Sequence, residues 1–159
     1  MKYANELTKS SQSGDLIEVV RLGLPIGEAI KDPTQLAPLS LAYIGDTVYD
    51  LFVRTMLLDS TTLTVHGLHQ RAAKLVCAKA QAAAFRRIEP MLTESELSVF
   101  RRGRNAHIGT VPKSTSIMEY RTATGLEALI GCLYLSGENG RLGEIMKMIL
   151  SDGHAPEAE

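Results

Sequence analysis

Long apolar runs are missing from this 159-residue chain. No stretch approaches the roughly 18 to 20 apolar residues that cross a bilayer, and Met1 to Gly14 is polar where a secretory leader would be apolar. No membrane association is expected, and the protein reads as soluble and cytoplasmic. Cysteine is scarce: Cys77 and Cys132 are the two present, each inside an apolar helical pattern. That argues against a disulfide framework or a thiolate cluster, and both read as buried free thiols. The four histidines, His66, His69, His107 and His154, share no ligand spacing, and His66 and His69 lack a third ligand nearby, which argues against zinc. Period-two alternation is hardly seen, so strands are not expected. Repeats and low-complexity tracts are absent as well. With 45% hydrophobic residues, the chain fits one domain with an ordinary core.

What is present is helical throughout, and the fold class reads as all-α. Residues 1–32 form an N-terminal extension with an apolar piece at Leu16 to Leu24, possible ground for one short helix, before the Lys31-Asp32-Pro33 break. Residues 33–150 make the domain, and 151–159 an acidic tail expected to be disordered. The first long helix is predicted from Ala37 or Pro38 to Leu58, with Leu41, Ile44, Val48, Leu51, Phe52 and Thr55 as its core stripe and Asp46 on another face with Tyr43, Asp50 and Val53. One helix is predicted over Val65 to Ile88, stopping before Pro90. Capping-box patterns at Thr93 to Glu96 and Ser116 to Glu119 open two more. The first fades near Asn105, and the second runs to Ser136 and ends at Gly137. A loop from His107 to Thr115 joins them, and a last helix spans Arg141 to Leu150.

The net charge of -1 speaks against a generally sticky nucleic-acid binder, yet the charge is unevenly placed. Between Arg101 and Arg121 stand Arg101, Arg102, Arg104, Lys113 and Arg121 against Glu119 alone, five positive charges and one negative for a local +4. Such a patch fits phosphate, and equally a solvated helix end. Two carboxylates sit among small and apolar neighbours, Asp46 after Gly45 and Glu127 between Gly125 and Gly131. Each glycine weakens a helix interior by about 1 kcal/mol relative to alanine, so its use suggests close approach of another helix. If the two glycine-bearing helices pack together, Asp46 and Glu127 converge, and such a pair repels itself unless it shares a proton or a hard cation. Oxygen-only ligation suits Mg2+ or Mn2+. Composition alone favours the plainer alternative of ordinary exposed carboxylates.

The wider sequence tips the balance. Leu41-Ala-Tyr-Ile-Gly-Asp46-Thr-Val-Tyr resembles the signature helix of ribonuclease III nuclease domains. Arg101-Arg-Gly-Arg-Asn105-Ala, followed by Gly125-Leu-Glu127-Ala-Leu-Ile-Gly131-Cys-Leu-Tyr-Leu, is similar to the Mini-ribonuclease III subgroup. The likeness runs from about Asp32 to Leu150 in the right order. It implies a ribonuclease III-like helical endonuclease domain without a separate double-stranded-RNA-binding domain, acting as a homodimer. In such enzymes the carboxylates matching Asp46 and Glu127 hold Mg2+, for which Mn2+ can substitute, and are the catalytic pair. The implied substrate is double-stranded RNA, cut to 5'-phosphate and 3'-hydroxyl ends, and the implied role is trimming the large-subunit (23S) ribosomal RNA precursor. The broader family carries further acids where this chain has Leu39, Ala42 and Thr124, a reduction shared by the subgroup.

Around that pair, Tyr43, Asp50 and Thr124 are candidates for orienting the metal ligands or their waters. Arg101, Arg104, Asn105, Lys113 and Arg121, with Lys79, are candidates for RNA phosphate or sugar contacts. Tyr120 could reach ribose or be buried. The rival reading is a catalytically silent RNA-binding module of ribosome assembly, against which the retention of both Asp46 and Glu127 speaks.

Overall fold

The computed structural model describes residues 16–23, 30–107 and 109–151, with Arg21 described by its backbone only. The polar opening residues and the acidic tail beyond Ser151 lie outside the described residues. Seven α-helices stand among those described: α1 Leu16–Leu22, α2 Pro38–Ser60, α3 Val65–Val76, α4 Ala78–Ile88, α5 Glu94–Asn105, α6 Ile117–Leu135 and α7 Asn139–Leu150. Short 3-10 turns at Pro33–Gln35 and Glu89–Met91 complete the set, and no strand occurs among the described residues. The fold is all-α.

Local chemistry sets most boundaries. Pro38 opens α2, where its missing N–H would have had no partner. Thr93 and Glu96 form a complete capping box on α5, and the Ser116 hydroxyl accepts from the Glu119 N–H at 3.1 Å to start α6. At the far end of α6 the Gly137 N–H donates to the Tyr134 carbonyl and the Glu138 N–H to the Leu133 carbonyl. That double closure needs a left-handed residue, which Gly137 supplies at φ 71°.

The centre of the molecule is α6, packed against α2, α4, α5 and α7. From Ala123 to Tyr134 every residue but Glu127 is buried, which explains why this segment is apolar on all sides. The contact with α2 is backbone on backbone. A methyl group on Gly45 would overlap the Glu127 carbonyl oxygen, and one on Gly131 would overlap the Leu41 carbonyl oxygen. Gly125 makes a similar approach to Phe100 of α5, where an added methyl would come within 2.7 Å of the ring. The close approaches expected from the glycines are therefore present.

Four expectations need correction. The helix predicted over Val65 to Ile88 is two helices, because Cys77 is extended (φ −67°, ψ 153°) and turns the chain from α3, which packs on α2, to α4, which packs on α6. Cys77 itself is exposed, and only Cys132 is buried. The core stripe of α2 is also rotated: Leu51 is 50% exposed and Thr55 is exposed, while Ala42, Gly45, Tyr49, Val53 and Leu57 are buried. Flanked by α6 and α3 on different sides, α2 buries a broader surface than one amphipathic stripe. Helix α7 begins two residues earlier than expected, at Asn139.

Ile17 of α1 reaches the main core at 6% exposure. The turn at Pro33–Gln35 is clamped by Arg102 of α5, whose guanidinium donates to the Thr34 and Leu36 carbonyls at 2.6 and 2.8 Å.

Candidate active site

The Gly45/Gly131 crossing decides where two carboxylates meet. Asp46 follows Gly45 on α2, and Glu127 stands one turn before Gly131 on α6. Where the two backbones touch, these side chains come within hydrogen-bonding reach of each other. They share an open cavity of about 340 Å³. Its inner lining includes Ala42, Thr124 and Glu127, and more exposed positions at Leu39, Tyr43, Asp46 and Thr47 carry it to solvent. Tyr120 and Gly109 complete the wall, so the loop between α5 and α6 reaches the cavity.

Glu127 is the one acidic or basic residue in the buried part of α6. Burial, and then the charge of Asp46, push its carboxyl up to about 8, while a hydrogen bond from Gln81 pulls the other way. Physically, the metal-free pair keeps a proton because two adjacent anions in a half-buried site are costly. A divalent cation would take the place of that proton. Among the described residues no third histidine, cysteine or acid joins them. The donor set nonetheless fits Mg2+, which accepts one or two carboxylates and keeps several waters, and the cavity is open to water.

Other expected residues are distributed unevenly. Tyr43 lies at the cavity and is 83% exposed. Thr124 lines it too, and donates its hydroxyl to the Tyr120 carbonyl at 3.0 Å. Asp50 does not line it: one oxygen pairs with Arg54 at 2.6 Å, and the other is buried without a partner. None of the basic candidates lines the cavity. Arg101 pairs loosely with Glu94 at 3.6 Å, an exposed contact that contributes little. Arg104 lies over the Phe100 ring at 5.7 Å and donates to Asn105. Lys79, Lys113 and Arg121 are exposed.

Two residues at the site escape a reading of the sequence. Gln81 of α4 is 1% exposed and hydrogen bonds to Glu127. Its sign is a single amide within Ala78-Lys-Ala-Gln81-Ala-Ala-Ala84, where a polar side chain among alanines needs a reason. Tyr49 of α2 is 2% exposed near Arg87, Cys77 and Glu127, and burial pushes its phenol up to about 12. Nothing in the local pattern marks it, since a tyrosine on a helix is ordinary core.

This arrangement of helices is that of a ribonuclease III-type domain, and residues 39–138 match the family described as Ribonuclease III domain. Mini-ribonuclease 3 of Clostridium tetani is 46% identical over 122 residues, spanning 76% of this chain and 81% of that protein. Mini-ribonuclease 3 of Symbiobacterium thermophilum is 47% identical over 118 residues, spanning 74% and 91%. The crystal structure of a Fusobacterium nucleatum protein superposes with a TM-score of 0.69 at 29% identity, covering 75% of this chain and 95% of that one. The chain belongs to the Mini-ribonuclease 3 family within the ribonuclease III domain proteins and is an endoribonuclease, a hydrolase. None of its described helices is long and apolar enough to cross a membrane.

Proposed function

We propose that this enzyme hydrolyses double-stranded RNA with Mg2+ held by Asp46 and Glu127, acts as a homodimer, and serves in the cytoplasm to mature the large-subunit (23S) ribosomal RNA precursor. The observation that carries the reading is the meeting of those two carboxylates at the α2–α6 crossing, in a cavity open to solvent. When bound, Mg2+ lowers the pKa of a water for attack on the phosphodiester and neutralises charge building on the phosphate oxygens. Asp46 and Glu127 supply the anionic oxygens, and Thr124 and Tyr43 stand beside them to orient water or substrate. Products then carry 5'-phosphate and 3'-hydroxyl ends.

Duplex RNA is read mainly through its backbone and 2'-hydroxyls, which suits exposed Lys79, Arg101, Lys113 and Arg121, and Arg104 with Asn105, outside the cavity lining. Cutting both strands calls for two sites related by a two-fold axis. An apolar groove of about 260 Å³ between α2 and α3, with Leu57, Leu58, Val65 and Leu68 in its lining, supports such a pairing.

Incubating the purified protein with long duplex RNA and Mg2+ tests the proposal. Cleavage should stop in EDTA and return with Mg2+ or Mn2+, and light scattering should give about twice the 17.3 kDa chain mass. Persistent cleavage in excess EDTA would overturn the metal mechanism.

A further inference from the structure

Gln81 sits where three helices meet. Its Nε2 donates to the carbonyl of Val76, the last residue of α3, at 3.2 Å, and its side chain also hydrogen bonds to Glu127 of α6. A carbonyl can only accept, which settles that the amide nitrogen faces Val76. An amide nitrogen carries two hydrogens, so one group can serve both Val76 and Glu127. The amide oxygen is then left over. It is buried and without a hydrogen-bond partner. An unmet acceptor in the interior costs about 1–3 kcal/mol, and cores seldom keep one without use.

The use follows from position. Both amide heteroatoms hang from one carbon, so the bonds that fix Nε2 also fix the direction of Oε1, behind the lining of the carboxylate cavity. A hydrated cation on Asp46 and Glu127 would bring water O–H donors to this neighbourhood, and an acceptor there is what an outer sphere of ligation requires. We propose that Gln81 is a positioning residue of the metal site: its amide N–H fixes the Glu127 carboxylate, and its Oε1 accepts a hydrogen bond from a water ligand of the cation. The inference rests on the reading of Asp46 and Glu127 as the metal ligands. It also gives the break at Cys77 a role, because a continuous helix over Val65 to Ile88 would have no free Val76 carbonyl to anchor the amide.

Binding of Mn2+ to the intact protein without RNA, followed by electron paramagnetic resonance, separates this role from packing. Asp46→Asn is the control for the site. Gln81→Met keeps the volume and removes both amide functions, and should weaken Mn2+ binding about tenfold or more and lower single-turnover kcat while leaving KM for duplex RNA unchanged. Gln81→Glu keeps an acceptor but loses the N–H, and should bind Mn2+ more tightly than Gln81→Met. Equal Mn2+ affinity in wild type and Gln81→Met, or an equal loss in both variants, would overturn the inference while leaving the site intact. Should Gln81→Met fail to fold, Gln81→Leu takes its place, with the same loss expected and unchanged binding counting against. No Mn2+ binding by wild type, or binding by Asp46→Asn as tight as wild type, would overturn the site reading and this inference together.

Discussion

Gly45 of α2 lies directly against the main-chain carbonyl of Glu127 of α6, so closely that a methyl group at position 45 would overlap its oxygen. One contact thus joins helix packing to the candidate chemistry, because the residue after Gly45 is Asp46. Gly45→Ala must push α6 away and should cost about 3 kcal/mol or more, lowering Tm by roughly 10 °C and abolishing cleavage. Gly143→Ala is the control: nothing lies within 4 Å of a methyl there, and the change in the interior of α7 should be neutral or stabilising by about 0.5–1 kcal/mol. Equal melting of Gly45→Ala and wild type, by circular dichroism, would contradict the close crossing.

Stability should fall with pH in the metal-free enzyme. The Glu127 carboxyl is raised from 4.5 to about 8 by burial and by Asp46, so the folded state holds its proton more tightly than the unfolded chain does. The contribution is complete below pH 4.5 and is lost as pH rises toward 8, up to a few kcal/mol. Saturating Mg2+, which favours the ionised pair, should reverse the trend. Melting curves at several pH values in EDTA check it, and Glu127→Gln should flatten the dependence. The same slope in Glu127→Gln and wild type would count against a shared proton.

Charge in the basic segment divides into two jobs. Arg102 holds the Thr34 and Leu36 carbonyls, so Arg102→Gln should lower stability by about 1–2 kcal/mol with the salt dependence of RNA binding unchanged. Lys113 is exposed on the loop whose Gly109 reaches the cavity. Lys113→Gln should leave Tm unchanged and reduce the slope of log affinity against log salt by about one. Binding isotherms at several salt concentrations distinguish the two. An unchanged slope for Lys113→Gln would make the loop a plain connector.

The legible parts of the fold were those with strong local chemistry. Thr93, Ser116 and Gly137 mark helix ends by hydrogen bonds to nearby backbone, and glycines inside helices betray the crossing that unites Asp46 and Glu127. The break at Cys77 carries no proline or glycine. It follows from two helices choosing different neighbours, a tertiary effect that periodicity does not encode. The buried face of α2 is hard to read for a related reason, since a helix covered by two partners has no single apolar stripe. Gln81 is not legible locally because its partners, Val76 and Glu127, belong to two other helices. The part of Arg102 was equally hidden, as its acceptors are carbonyls far off in the chain.

The most direct measurement is single-turnover cleavage of a long RNA duplex with Mg2+ by Asp46→Asn and Glu127→Gln, alongside duplex binding by the same proteins. Each substitution takes one anionic oxygen from the pair and leaves the shape of the cavity almost unchanged. The predicted result is a fall in cleavage of at least about a hundredfold for each variant, with folding and duplex affinity within a few-fold of wild type. Cleavage at the wild-type rate by either variant would contradict the account, removing that carboxylate from the chemistry.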